Sequence, residues 1–125
     1  MSDTDKITVM VVDDHPMWRE GVARDLTEAG FDVVATASTG TEALTRATAV
    51  RPRVVVLDLQ LEQSSGFDVL RAVHSLEPRI AFYMLSNFSS EPYRRQAERL
   101  GARGFFDKST DFDRLRDLVA QRAVS

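Results

Sequence analysis

The chain of 125 residues contains no cysteine, and it has only two histidines, one tryptophan and four prolines. Without cysteine it has no disulfide framework, no thiolate metal site and no cysteine nucleophile, which fits a reducing cytosol. Its longest apolar runs are far shorter than the about 20 residues that a membrane-spanning helix needs. Residues 1–6 are short and polar, unlike a signal peptide. We therefore expect a cytoplasmic domain with no membrane partner.

Net charge and composition indicate which partners to expect and how many domains the chain forms. The net charge of -3 gives no electrostatic reason to expect this segment to bind nucleic acid. The chain has no linker, internal repeat or low-complexity stretch, and its length suits one domain with one core. We expect residues 1–125 to form a single domain.

Two apolar runs end abruptly in carboxylates. Residues 54–57 read Val-Val-Val-Leu and lead into Asp58, and residues 7–12 lead into Asp13 and Asp14. Runs without alternation indicate strands that are buried on both faces, as in the centre of a parallel sheet. Three further strands are predicted at residues 32–37, 80–85 and 103–106. Two central strands thus deliver three acids to one edge of the sheet.

Between these strands, apolar residues recur at helical spacing, which predicts helices. The predicted helices end at residues typical of helix termini: Gly30, Arg51-Pro52, Glu77-Pro78 and Gly101. The fourth helix has only Tyr93, Ala97 and Leu100 to bury, so its own apolar face anchors it weakly. The last helix is predicted to begin at Thr110 or Asp111 and to bury Phe112, Leu115, Leu118 and Val119.

Alternation of five strands with five helices predicts a doubly wound α/β fold, because parallel strands need right-handed helical crossovers. The expected architecture is flavodoxin-like, with a five-stranded parallel sheet in the order 2-1-3-4-5 and helices on both faces. Residues between 59 and 65 are predicted to be a loop that closes at Gly66.

The ends of four strands carry Asp13 and Asp14, Asp58, Ser86 and Lys108. In the order 2-1-3-4-5 these side chains meet at the carboxyl edge, where open α/β sheets place their ligands. Three adjacent carboxylates repel one another, and oxygen ligands with waters suit octahedral Mg²⁺. A lysine and a hydroxyl opposite the metal can bind an anionic group. This combination indicates phosphoryl transfer with a carboxylate as the nucleophile.

Each residue also has a purely structural alternative. Asp13 and Asp14 could be helix-capping acids, and Asp58 could cap a turn. Ser86 could be an ordinary loop serine and Lys108 a solvated lysine. Their predicted convergence at one edge of one sheet favours a site.

This pattern resembles the receiver domain of two-component response regulators over residues 7–123. The residues that carry the resemblance are Asp13-Asp14 after the first strand, Asp58 after the third, Ser86 after the fourth and Lys108 after the fifth. The stretch Asp-Asp-His-Pro at residues 13–16 is similar to nitrate-responsive, LuxR-type regulators. In those regulators the receiver usually precedes a helix-turn-helix DNA-binding domain.

The resemblance implies a role for each site residue. Asp58 would accept a phosphoryl group from the phosphohistidine of a sensor histidine kinase. Asp14 and Asp58, with the backbone carbonyl of Gln60, would bind Mg²⁺, and Asp13 would hold a metal-bound water. Lys108 would pair with the phosphoryl oxygens.

The same resemblance implies a conformational switch. Ser86 would move to bond a phosphoryl oxygen, and Phe105 would swing inward behind it. The domain would catalyse only its own phosphorylation and slow dephosphorylation, so it would not be an enzyme in the usual sense. It would form a homodimer when phosphorylated, and it would reach DNA only through an effector domain outside residues 1–125.

Several residues depart from the family pattern. The segment 59–66 lacks the usual proline, and Asn87 stands where a small residue normally leaves the phosphoryl pocket open. Ser109 replaces a common proline after Lys108, so no cis peptide is expected there. Phe105 lacks the hydroxyl of the tyrosine found in other members.

Four other functions compete with the signalling switch. A haloacid-dehalogenase-type hydrolase needs an aspartate where Gln60 stands, and a P-loop enzyme needs a glycine-rich Gly-Lys-Ser/Thr loop that the chain lacks. A flavodoxin has a Ser/Thr-rich phosphate loop, whereas Asp13 and Asp14 would repel phosphate. A phosphorylation-independent interaction module, in which the acids are remnants, remains the main alternative.

Overall fold

The computed structural model describes residues 6–62, 64–88, 90–110 and 112–117. Its strands are β1 (Thr8–Val12), β2 (Asp32–Ala37), β3 (Val54–Leu57), β4 (Gln60–Leu61), β5 (Ser64–Ser65), β6 (Ala81–Ser86) and β7 (Gly104–Asp107). Its helices are α1 (Pro16–Glu28), α2 (Gly40–Val50), α3 (Gly66–Leu76) and α4 (Glu91–Arg99), followed by helical residues 112–117, designated α5.

The main sheet has five parallel strands in the order β2-β1-β3-β6-β7. This confirms the predicted order 2-1-3-4-5, because β6 and β7 are the fourth and fifth strands of that sheet. Val12 lies opposite Leu57, and Leu57 lies opposite Met84. The carboxyl ends of β1 and β3 are therefore level with each other, and β6 continues past them to Ser86.

Helices cover both faces of the sheet, as predicted. One face packs against α1 and α5, whose buried residues are Val22, Leu26 and Leu115. The other face packs against α2, α3 and α4, whose buried residues are Ala43, Ala47, Val69, Leu70, Val73 and Ala97. The central strands β1, β3 and β6 are buried on both sides, which explains their unbroken apolar runs. Leu118 and Val119 of the predicted last helix, and Asp111 as its alternative cap, lie outside the described residues.

The segment predicted as a loop contains an antiparallel hairpin of β4 and β5. Gln60 pairs with Ser65 and Leu61 with Ser64, while Glu62 bridges to Thr39 at the start of α2. Leu59 and Leu61 are buried in the core, so apolar burial fixes this segment although it lacks the proline. Strands of two residues are too short to produce a periodic signal in the sequence.

No helix within the described residues is long and apolar enough to cross a membrane.

Gly66 is the point at which the hairpin meets the end of β3. Its N–H donates a hydrogen bond to the carbonyl of Leu59. A Cβ at position 66 would overlap the carbonyl oxygen of Asp58 and lie 2.8 Å from the Cα of Leu59. These are backbone atoms and cannot rotate away, so only glycine fits without moving the segment that carries Asp58.

We predict that Gly66→Ala lowers the free energy of unfolding by about 2–3 kcal/mol, because overpacking displaces backbone atoms. The matched control is Gly21→Ala within α1, where an added Cβ meets no atom within 4 Å. That change should be neutral or stabilise by about 0.5–1 kcal/mol, since alanine is the better helix former. Urea unfolding measures both variants, and equal effects would contradict the close approach at Gly66.

Candidate functional site

Four polar side chains are buried at the carboxyl edge of the sheet. Asp13, Asp58, Ser86 and Lys108 are only 4, 7, 0 and 5% exposed, and they are the buried polar or charged residues among those that the structure describes. Burying a charge costs several kcal/mol unless the charge is paired and hydrogen-bonded. The sequence prediction had placed these four at one edge, and the structure brings them there.

The ammonium of Lys108 lies between two of the carboxylates. Its Nζ is 2.7 Å from Oδ2 of Asp13 and 2.9 Å from Oδ2 of Asp58. The ring of Trp18, on the first turn of α1, covers the same ammonium, with its centroid 5.2 Å from Nζ. Lys108 is therefore the internal counterion of the acids.

Main-chain hydrogen bonds fix both aspartates. The Asp13 N–H donates to the carbonyl of Ala37 at 3.0 Å, and the Asp58 N–H donates to the carbonyl of Val12 at 2.9 Å. Oδ1 of Asp13 also accepts the N–H of His15 at 2.9 Å. These bonds extend the sheet by one residue beyond β1 and β3. The carboxylates are thus held by the most rigid part of the fold.

Burial and ion pairing shift the pKa values of Asp13 and Lys108. Burial raises the pKa of Asp13 above its ordinary value, although the hydrogen bond from Lys108 opposes it. Burial alone would lower the pKa of Lys108, but the hydrogen bonds to Asp13 and Asp58 outweigh it, and that pKa is raised. The raised pKa of Lys108 means that its charged form stabilises the folded state. This contribution is fully present at pH values below the ordinary pKa of lysine and is lost as the pH rises through the raised pKa.

The acids also satisfy the requirements of a divalent cation site. Asp13, Asp14 and Asp58 each offer a carboxylate oxygen, and these three atoms lie within 4.8 Å of one another. Three carboxylates facing one ammonium leave excess negative charge, and hard oxygen ligands are those that Mg²⁺ takes. Gln60 begins β4 beside them, and its N–H donates to Oδ1 of Asp58 at 3.4 Å. The donor set therefore fits Mg²⁺.

Ser86 and Phe105, the two predicted switch residues, lie on β6 and β7. The side-chain hydroxyl of Ser86 accepts a hydrogen bond from the N–H of Phe88 at 3.1 Å. The main-chain carbonyl of Ser86 accepts one from the N–H of Lys108 at 3.1 Å. Phe105 is half-buried opposite Met84. A main-chain hydrogen bond thus joins the end of β6 at Ser86 to Lys108. Asn87, the departure noted in the sequence, is exposed.

Two contacts at the site were not predicted from the sequence. Trp18 was predicted only as part of the apolar face of α1, whereas its ring also covers Lys108. Arg19 donates to the carbonyl of Asp13 at 2.9 Å. For Trp18 a signal existed, since it lies in the first turn of the helix that follows Asp13 and Asp14, which begins at the same edge of the sheet. Nothing in the sequence distinguishes Arg19 from other surface arginines.

A cleft of about 620 Å³ lies away from this site. It is at the opposite, amino edge of the sheet and is lined in part by Arg51, Arg53, Arg79 and Arg103. Cavity size therefore does not locate the paired carboxylates.

Comparison with known proteins yields one family. The family model described as the response regulator receiver domain matches residues 9–120. The chain is 33% identical over 123 residues to a nitrate/nitrite response regulator protein homolog of Haemophilus influenzae, over 95% of this chain and 58% of that protein. It is 31% identical over 115 residues to the transcriptional regulatory protein DegU of Brevibacillus brevis, over 91% of this chain and 49% of that protein. The chain thus spans about half the length of these relatives.

Solved structures agree with this result. The signal receiver domain of the response regulator NarL from Mycobacterium tuberculosis superposes with a TM-score of 0.87 and 33% identity, over 96% of this chain and 98% of that domain. A LuxR-family response regulator from Aurantimonas sp. SI85-9A1 superposes with a TM-score of 0.89 and 28% identity, over 95% and 86% of the two chains.

We predict that Lys108→Met lowers the free energy of unfolding by about 2–4 kcal/mol at neutral pH, because it leaves buried carboxylates without a counterion. Loss of the Lys108 hydrogen bond raises the pKa of Asp13 further, so the loss of stability should shrink as the pH falls to about 5 and Asp13 takes up a proton. Denaturant unfolding at the two pH values measures this. Lys6→Met, at the other lysine of the chain, which is exposed, is the control and should change the free energy of unfolding little. A pH-independent loss would contradict the charge cluster.

Proposed function

Because the chain belongs to the response regulator receiver family, we propose that it is a signalling switch that accepts a phosphoryl group on Asp58. The observation that carries the proposal is the buried Asp58 carboxylate at the end of a central strand, 2.9 Å from the Lys108 ammonium. Asp13 and Asp14 lie beside it with oxygens within 4.8 Å. A nucleophilic carboxylate, an ammonium for the transferred oxygens and a cation site are thus side by side.

The proposed reaction transfers a phosphoryl group from the phosphohistidine of a sensor histidine kinase. A carboxylate oxygen of Asp58 attacks the phosphorus, the new O–P bond forms, and the P–N bond breaks. The leaving imidazole nitrogen keeps the bonding electrons and takes up a proton. Lys108 is placed to pair with the transferred oxygens, because its ammonium already contacts Asp58. Hydrolysis of the acyl phosphate returns the free carboxylate and inorganic phosphate.

Mg²⁺ would be held by Asp14, Asp58 and the carbonyl of Gln60, with Asp13 on a metal-bound water. When bound, it supplies positive charge that offsets the phosphoryl oxygens and the acids. The chain's own part is to fix the carboxylates on rigid strand ends before the ion arrives.

Relay to the surface is proposed to run through Ser86 and Phe105. A phosphoryl group on Asp58 adds acceptor oxygens near the end of β6, and the Ser86 hydroxyl would leave the Phe88 N–H to donate to one of them. Phe105 would then turn inward. Among the residues of α4 only Ala97 is fully buried, so this helix can repack at low cost.

The proposed partners follow from the family. The curated relatives are about twice as long as this chain, and one is named a transcriptional regulatory protein. We propose that the chain is the receiver of a transcription regulator whose effector domain contacts DNA, and that phosphorylation promotes a homodimer. In this account the domain acts only on its own aspartate and turns over no separate substrate.

We predict that acetyl phosphate with Mg²⁺ adds the mass of one phosphoryl group to the intact protein, and that Asp58→Asn abolishes the addition because the nucleophilic oxygen is lost. Asp68→Asn, at an exposed acid of α3, is the control and should be phosphorylated normally. Intact-mass spectrometry follows the reaction. No added mass at any Mg²⁺ concentration would favour the phosphorylation-independent interaction module instead.

Mg²⁺ binding can be followed separately through Trp18, the one tryptophan of the chain, because its ring contacts the Lys108 ammonium. We predict that Mg²⁺ changes the fluorescence of Trp18 with a saturable dependence. Asp14→Asn should weaken binding by roughly tenfold or more through loss of a ligand oxygen, and Asp68→Asn should not. An unchanged affinity in Asp14→Asn would remove Asp14 from the ligand set.

A further inference from the structure

One arginine of α4 contacts the backbone and the ring of the same aromatic residue on β7. The guanidinium of Arg94 donates a hydrogen bond to the carbonyl of Phe105 at 2.9 Å. The Cζ of that guanidinium also lies 5.3 Å from the centroid of the Phe105 ring. The ring contact favours the present position of the Phe105 side chain, and the hydrogen bond to the carbonyl holds the guanidinium beside the ring.

Apolar packing does little to hold this region. Tyr93 of α4 is 40% exposed, Leu100 is half-buried, and Ala97 is the helix's one fully buried side chain. A cavity of about 390 Å³ lies between α4 and β7, with Arg94, Ala97 and Phe105 among its lining residues. Since the Phe105 ring borders open space, close packing alone does not determine where it lies. The contacts from Arg94 therefore have a large share in placing it.

We propose that Arg94 is a positioning residue that holds Phe105 in its unphosphorylated position and so opposes phosphorylation. The proposal rests on the proposed function, in which Phe105 turns inward when the Ser86 hydroxyl moves toward the phosphoryl group. Inward rotation takes the ring away from the guanidinium. The ring contact with Arg94 would thus be formed in one state and lost in the other, while the hydrogen bond to the backbone carbonyl can persist. A contact made in only one state is the condition for shifting a two-state equilibrium.

The neighbouring arginine provides a matched control. Arg95 is exposed and faces Glu91 of the same helix at 4.0 Å. It has the same charge and the same helix propensity as Arg94. A general effect of charge or helicity would therefore appear in both variants, whereas an effect on Phe105 would appear only at Arg94.

The test is a titration with beryllofluoride at saturating Mg²⁺, because beryllofluoride on an aspartate stands in for the phosphoryl group. Trp18 fluorescence reports binding. Arg94→Ala should bind beryllofluoride roughly three- to tenfold more tightly than the parent, because no contact has to be broken. Arg94→Lys keeps the charge but lacks the planar fork, so it should show a smaller gain. Arg95→Ala should match the parent.

A double-mutant cycle separates positioning of the ring from a structural role of the arginine. In a Phe105→Leu background there is no ring to hold, so the added Arg94→Ala change should alter beryllofluoride affinity less than it does in the parent. A purely structural role would give the same change in both backgrounds and would overturn the proposal.

Unchanged or weaker beryllofluoride binding in Arg94→Ala would also overturn it, provided that the parent binds. Should Arg94→Ala fail to fold, Arg94→Lys carries the comparison alone, and the absence of any gain there is decisive against the proposal. If the parent itself fails to bind beryllofluoride, the phosphorylation switch falls, and the role of Arg94 falls with it.

Discussion

The interaction on which this structure depends is the buried contact of one ammonium with two aspartates. Lys108 lies 2.7 Å from Asp13 and 2.9 Å from Asp58, and all three are nearly inaccessible to solvent. Such charges are tolerated only where geometry and hydrogen bonds are good. The sheet supplies both, because β1 and β3 end level with each other, β7 leads into Lys108 at the same edge, and main-chain bonds continue into the site. The fold thus keeps a charge cluster with excess negative charge ready for a cation and an anionic group.

The rigid site lies close to a loosely attached element. Ser86 and Lys108 share a main-chain hydrogen bond, and Phe105, on the strand that leads to the lysine, contacts Arg94 of α4. In the proposed switch, a charge change at Asp58 would act on α4 through these neighbouring strand residues. The proposed signal needs no long pathway, only an element whose two positions differ little in free energy.

Much of the fold and the site could be predicted from the sequence because both depend on simple patterns. Unbroken apolar runs indicate buried parallel strands, and in a parallel sheet their carboxyl ends share an edge, so Asp13, Asp58, Ser86 and Lys108 could be expected together. The hairpin of β4 and β5 was missed because two-residue strands have no periodicity. The contacts of Trp18 with Lys108 and of Arg94 with Phe105 were missed because they depend on side-chain rotamers and on packing between elements, which sequence spacing does not specify.

The central claim is that Lys108 and the acids form one pocket built to receive a charged group on Asp58. A crystal structure of the protein with Mg²⁺ and beryllofluoride tests this most directly. The account predicts beryllofluoride on a carboxylate oxygen of Asp58, the metal among Asp13, Asp14 and Asp58, and the Lys108 ammonium within hydrogen-bond distance of a fluorine. Beryllofluoride bound elsewhere, or a Lys108 side chain turned out to solvent while Asp58 is occupied, would contradict it.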